Sequence, residues 1–237
     1  MIKISVIFAL LPIDDFTGRQ LSDDGFRFWI NGRSAAPLKK PEGIYVFTAQ
    51  GGEEWQLCVQ GTHYSKQTIT IRKEMLDKHN PIVEIRLFRR ADLHFPDCET
   101  ITGTHKQGKT IFALCRDAPL LKLHSIEMPP GINGKISLMG YTVRSLVRCR
   151  FCIGAGKTRE MFTIVAKDCD GNYLCDRQFL YKHKEGEPLL RAFGSICDDE
   201  GRFSIPIDKG MKDNIETVLE YSEEARQWGC LLQTAPN

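Results

Sequence analysis

Short runs of alternating apolar and polar residues, interrupted about every ten residues by turn formers, mark the first third of the chain. In 26–30 (Phe-Arg-Phe-Trp-Ile) apolar and aromatic positions alternate with Arg27 and Trp29, so one face can be buried. In 55–59, Trp55, Leu57 and Val59 face one way and Gln56 and Cys58 the other. Ile69 and Ile71 alternate with threonines in 68–72, and Val83, Ile85 and Leu87 oppose Glu84 and Arg86 in 82–88. Residues 44–48 form another β-rich run. The stretch 2–11 is apolar but for Lys3, with a β-branched bias, which predicts a strand buried on both faces or packed under a loop, and ended by Pro12 and Asp14-Asp15. Thr17-Gly18, Asn31-Gly32 and Gly51-Gly52 supply turns. Strands at this spacing predict a β-sandwich over residues 1–90.

Residues 91–134 have a different texture. Pro96, Pro119, Pro129 and Pro130 punctuate them, with strand-like runs at 110–115 and 120–124, and they read as a connector that breaks near 128–131. Residues 135–237 return to β patterning, with strands predicted over 136–141, 146–153, 161–168, 173–182 and 203–206. Turns at 154–157, 168–172 and 198–201 separate them, giving a second, smaller β-rich domain. Its last segment predicts one helix over 213–228, with Ile215, Val218, Leu219, Ser222, Ala225 and Trp228 on one side and mostly glutamates opposite. The stretch 217–221 also reads as a strand. The turn-and-strand pattern of 199–206 echoes that of 41–47, as a divergent copy would.

The run Glu42-Gly43-Ile44-Tyr45-Val46-Phe47, then Gly51-Gly52, Trp55-Gln56-Leu57-Cys58-Val59 and Gly61-Thr62-His63-Tyr64 resembles the carboxypeptidase regulatory-like (transthyretin-like, prealbumin-like) β-sandwich. The resemblance spans residues 4–90. It implies a domain of the mostly non-catalytic kind that serves as stalk, adaptor or binding module, including in phage-tail-like particles. The catalytic relative, a hydroxyisourate hydrolase, ends in Tyr-Arg-Gly-Ser, whereas this chain ends Leu-Gln-Thr-Ala-Pro-Asn.

Composition narrows the function classes. With 32 Lys and Arg against 30 Asp and Glu, the net charge of +2 gives no basic excess of the kind nucleic acid requires. The apolar N-terminal run is too short to span a bilayer and carries no cleavage signal, so a cytoplasmic protein is expected, with no membrane partner. Nine cysteines then read as reduced, mostly buried thiols.

Gly154-Ala155-Gly156-Lys157-Thr158 ends like a phosphate loop, but Phe151 stands where that loop needs its first glycine and a strand follows, so a hairpin turn is expected. Cys149 and Cys152 have the spacing of a zinc half-site, yet point to opposite sides of a strand. Asp168 to Asn172 resembles the start of a calcium loop but has Phe179 at the twelfth position, which leaves an Asp-rich turn. No metal or cofactor is expected. Trp29, Tyr45 and Trp55 could form a sugar platform or a sandwich core. The sequence therefore points to a non-enzymatic structural or adaptor protein that binds other subunits or itself. A carbohydrate- or small-ligand-binding module is the alternative, and a cysteine or zinc enzyme a second one. The candidate partner-binding residues are Arg33, Lys39 and Lys40, on a basic loop for which a sandwich has no evident need.

Overall fold

The structure, a computed structural model, describes residues 6–22, 25–48, 51–116, 120–128, 133–140, 145–222 and 227–232, the last by backbone alone. The chain is all-β, and the helical segments among the described residues are three-residue 3-10 turns. It divides into two compact units, one of Met1–Asp15 and Arg19–Leu93 and the other of Phe16–Gly18 and His94–Asn237.

The first unit holds β1 (Val6–Asp14), β2 (Arg27–Ile30), β3 (Arg33–Ala35), β4 (Leu38–Lys39), β5 (Tyr45–Thr48), β6 (Glu54–Gln60), β7 (Gln67–Arg72) and β8 (Ile82–Leu87). They form two four-stranded sheets, ordered β4-β5-β1-β8 and β3-β2-β6-β7. Side chains from both sheets share one core, including Phe8, Leu10, Tyr45, Phe47, Ile85 and Leu87 from one and Phe28, Ile30, Trp55, Leu57, Val59 and Ile71 from the other. The arrangement is sandwich-like. Each large side chain so buried contributes about 1.5–3 kcal/mol. The alternation expected in 55–59 appears as buried Trp55, Leu57 and Val59. Asn31-Gly32 makes the two-residue β2–β3 turn, with φ of 49° and 77°, the left-handed pair that such turns require.

β1 is central, as its continuous apolar run predicts, but it does not stop at Pro12. It pairs with β5 only through Leu10, while its parallel ladder with β8 runs on to Asp14. Pro12 thus lies beyond the β5 pairing, where a missing N–H breaks no bond to that strand. The polar end of β1 is anchored by a buried cluster. Asp14 Oδ2 accepts from Arg89 Nη2 (2.9 Å) and Tyr64 Oη (3.1 Å), and Asp15 Oδ1 from Arg86 Nε (2.8 Å).

The second unit is the larger, against expectation. It holds β9 (Glu99–Thr104), β10 (Thr110–Arg116), β11 (Lys122–Glu127), β12 (Lys135–Met139), β13 (Arg150–Ile153), β14 (Glu160–Lys167), β15 (Tyr173–Cys175), β16 (Leu190–Ile196), β17 (Arg202–Ile207), β18 (Ile215–Ser222) and β19 (Gln227–Leu232). Nine strands form one sheet in the order β11-β12-β15-β14-β13-β16-β10-β18-β19, and β17 pairs with β9 separately. One core joins Ile111, Ala113, Phe193 and Val218 to Phe203, Ile205 and Ile207 of β17. A second joins Leu121, Leu123, Ile136, Phe151, Phe162, Cys175 and Phe179. These strand orders differ from those of the first unit, so the echo between 41–47 and 199–206 extends to a turn and a strand only.

Two expectations are corrected. The 91–134 segment contains β9, β10 and β11, and β10 sits inside the long sheet with partners on both sides. The break expected at 128–131 falls mostly outside the described residues. The helix expected over 213–228 is replaced by a 3-10 turn at Lys212–Asn214, β18 and β19, and 223–226 lie outside the described residues. The strand reading of 217–221 wins because β18 is paired on both sides and puts Val218, Leu219 and Tyr221 in the interior, which rewards β-branched and aromatic residues.

Candidate functional site

β14 opens with a carboxylate where an apolar residue would be ordinary. Glu160 is buried, and its oxygens collect a loop that runs from 176 to 187. Oε1 accepts the Leu180 N–H (2.7 Å) and Oε2 the Tyr181 N–H (3.0 Å). Oε2 also meets His183 Nε2 at 2.8 Å, while His183 Nδ1 meets Glu187 Oε2 at 2.9 Å. The His183 side chain is 1% exposed and stands edge-on to the Phe179 ring, 6.0 Å between centroids. Burial disfavours the imidazolium, but hydrogen bonds to Glu160 and Glu187 and their charges outweigh it and raise the His183 pKa. Burial likewise pushes the Glu160 carboxyl up, but the His183 and backbone N–H bonds win and hold it below the usual carboxylate range. The group is therefore a Glu160–His183–Glu187 hydrogen-bonded chain in which the charged imidazole is favoured.

The loop is tied at both ends. Asp176 exchanges hydrogen bonds with Thr163, its backbone N–H to the Thr163 carbonyl and its Oδ1 to the Thr163 N–H, each 2.9 Å. Leu123 N–H donates to the Glu187 carbonyl (2.8 Å), and Lys184 N–H to Glu187 Oε1 (3.1 Å). Gly154 closes the lid on the imidazole. Its φ is 82°, and a Cβ there would lie 2.5 Å from the Thr158 carbonyl oxygen and 3.0 Å from His183 Cε1. What this framework presents outward is apolar: Leu180 is 63% and Tyr181 42% exposed. Beside them a recess of about 30 Å³, room for a water or two, lies between Arg159, Arg177, Gln178 and Tyr221.

Chemically the chain is closed. Both ring nitrogens of His183 are taken by carboxylates, so neither is free to exchange a proton with a substrate. Three of the buried thiols are equally quiet. Burial, helped by nearby carboxylates, pushes Cys175 up to about 12 and Cys197 to about 11, and raises Cys152 as well. Among the described residues no cluster of His, Cys, Asp and Glu is arranged to hold a metal ion. Asp168 is occupied by its own turn, taking the Asp170 and Asn172 N–H groups on Oδ1 and Lys135 Nζ on Oδ2 (2.8 Å). Asp198 closes the Arg202 turn in the same way.

The residues selected from the sequence have other surroundings. Arg33 opens β3, the edge strand of one sheet of the first unit, and Lys39 lies in β4, the edge strand of the other. Lys40 N–H donates to the Ile44 carbonyl (2.7 Å), and all three side chains are exposed. The basic loop thus has a structural use, finishing both sheets. The sugar platform is not assembled, because Tyr45 and Trp55 are buried in the core and Trp29 is half-buried, with Lys66 Nζ 5.9 Å from its ring centroid. A polar recess of about 250 Å³ in the first unit is lined by Gly25, Arg27, Gln60, Gly61, Thr62 and Arg90. Arg90 there is already held by both oxygens of Asp92.

Sequence reading missed Glu160, His183 and Glu187. Two signals were there: a lone glutamate heading the apolar run Met161 to Val165, and a histidine four residues before a glutamate. Comparison with known protein families, with curated proteins and with solved structures finds no match for this chain. No helix among the described residues is long and apolar enough to cross a membrane.

Proposed function

We propose that this chain is a non-enzymatic subunit that works by protein–protein assembly, and that the 176–187 loop is one of its docking surfaces. One observation carries the reading. A chain of hydrogen bonds from buried Glu160 through His183 to Glu187 fixes a loop whose outward side chains are Leu180 and Tyr181. Buried ion pairs are an inefficient way to gain stability, and their best-attested use is to specify one conformation. Here the conformation specified exposes an aliphatic and an aromatic side chain side by side, the chemistry of a contact anchor. The raised pKa values of Cys152, Cys175 and Cys197 and the doubly occupied imidazole favour a surface role over catalysis.

The first unit belongs to the same reading. Two four-stranded sheets around one core, with β1 and β8 parallel, fit a carboxypeptidase regulatory-like sandwich, whose members are mostly adaptors. A cytoplasmic subunit of a multi-subunit bacterial particle, such as a phage-tail-like one, is the setting this reading expects. The test is light scattering of the native protein purified from its own source. A stoichiometric assembly well above 27.0 kDa is expected, and a Leu180→Ser, Tyr181→Ser double variant should lose or weaken it. Persistent monomer without a partner refutes the proposal.

A further inference from the structure

The two flanks of the first unit end differently. On one, β3 and β4 are three and two residues long, with Pro37 between them and Arg33, Lys39 and Lys40 around them. Short, charged, proline-bearing edges resist pairing with another strand. On the other, β7 is six residues, Gln-Thr-Ile-Thr-Ile-Arg, with no proline and one charge, at its end. It is the last strand of its sheet, and Thr68, Thr70 and Arg72 are exposed.

The ladder shows which backbone groups β7 leaves over. Lys73 N–H donates to the Glu53 carbonyl (2.8 Å), in register with the Glu54–Arg72 pair that follows. Hydrogen-bonded pairs alternate in an antiparallel ladder, so Ile71, Ile69 and Gln67 turn their N–H and C=O groups to β6. Those of Thr68, Thr70 and Arg72 point away from the sheet.

We propose that β7 is a self-association edge, pairing antiparallel with β7 of a second copy about a twofold axis at Thr70. This rests on the assembly reading above and names one of its partners. Only the even-numbered residues offer outward groups, and a twofold at Thr70 matches even with even: Thr70 with Thr70 of the second copy, Thr68 with its Arg72. About six main-chain hydrogen bonds result. Ile69 then lies opposite Ile71 of the other copy on the core side, a favourable β-branched pair. The same register brings Lys66 toward the end that carries Glu74 of the other copy, twice by symmetry, whereas a twofold at Arg72 would oppose two arginines. β7 is complementary to itself in sequence, hydrogen bonding and charge.

The test uses the full chain. Sedimentation and light scattering over about 1–100 μM should give twice 27.0 kDa. Thr70→Lys, on an exposed side chain, sets two like charges face to face at the axis. It should raise the dimer dissociation constant more than about tenfold at low salt, with recovery in high salt. Thr70→Pro removes an N–H that the monomer does not use and should abolish the dimer. Amide exchange at 68, 70 and 72 should slow with protein concentration, while 69 and 71 stay protected throughout. A 27.0 kDa species across the range, or a dimer that both variants leave intact, overturns the inference. If the isolated chain is monomeric but still joins a larger native assembly, this edge fails and the assembly reading stands. If it is monomeric in both, both fail.

Discussion

Replacing Glu160 tests the link between buried charge and loop order most directly. Glu160→Ala removes three hydrogen bonds at once, those to the Leu180 N–H, the Tyr181 N–H and His183 Nε2. It also leaves a buried imidazole with one carboxylate. Breaking a buried pair from one side costs about 3–5 kcal/mol, because the other member stays desolvated. If the loss falls on the loop, its opening becomes roughly 10²–10⁴ times more frequent, and exchange at the Leu180 and Tyr181 amides accelerates by that factor. Glu160→Gln keeps the shape and loses the charge, and should lose about 1–3 kcal/mol. The pH dependence has a definite sign. The folded pKa of His183 is raised, so its contribution is complete below the ordinary imidazole pKa and disappears as pH climbs through the raised one. The folded pKa of Glu160 is lowered, so its contribution is complete above the ordinary carboxylate pKa and disappears as pH falls through the lowered one. Exchange at 180 and 181 should therefore be slowest, after correction for intrinsic rates, at mildly acidic pH, between the ordinary carboxylate and imidazole values of 4.5 and 6.5, and should speed up on both sides. Unchanged protection in Glu160→Ala, or a flat pH profile in the wild type, would refute the reasoning.

Other consequences follow from single positions. Gly154→Ala forces a side chain against the Thr158 carbonyl at a positive φ and should destabilise the second unit by more than 2 kcal/mol, about the scale of stored backbone strain, with faster exchange at 180 and 181. Gly156→Ala, also at positive φ but with nothing within 4 Å of the new Cβ, should cost about 1 kcal/mol in the same denaturant titration and leave that exchange alone. Trp55 has an indole N–H with no acceptor among the described residues. Trp55→Phe should therefore stay within about 1 kcal/mol of the wild type, and Trp55→Ala should lose about 3–5, read by urea melting of the first unit. Asp14→Ala should cost about 3–5 kcal/mol there, because it leaves Arg89 buried without its carboxylate, whereas Tyr64→Phe should cost about 1.

How much of this was legible in the chain depends on where each strand gets its pairing. The strands of the first unit have one face in the core and one toward solvent, so alternation names them and even assigns the faces of 55–59 and 68–72. In the second unit many strands are covered on both faces, and the alternation fades. β16 is the clearest loss. Its residues are nearly all buried, and Arg191 and Gly194 break the apolar run. The guanidinium of Arg191 lies over the rings of Phe151 (5.7 Å) and Phe193 (5.2 Å), a burial that only the neighbouring strands explain. The 213–228 segment failed the opposite way. Its spacing suits a helix, and pairing with β10 and β19 overrides it. The candidate site was hidden for a related reason: Glu160, His183 and Glu187 are joined across 27 positions of the chain, and their meaning comes from what they pin, which is Leu180 and Tyr181.

The basic residues chosen from the sequence gain a sharper meaning from the edges they occupy. By sequence alone, a sandwich has no obvious use for the basic loop that carries Arg33, Lys39 and Lys40. Their strands, however, are the outermost in both sheets on one flank, where unpaired backbone invites unwanted partners. Charge and Pro37 there act against strand addition, and β7 on the other flank carries almost none of that protection. The asymmetry itself is informative. A monomer has the same reason to guard both flanks, whereas a subunit that pairs through one needs to guard only the other. Removing the guard should then create a second, competing edge. With Pro37→Val, Lys39→Thr and Lys40→Thr together, the chain should form species beyond the dimer in sedimentation. A Thr70→Lys chain carrying the same three changes should associate through the newly opened flank alone. If the triple variant keeps the association state of the wild type, the basic loop is not an edge guard, and Arg33, Lys39 and Lys40 return to the list of partner contacts.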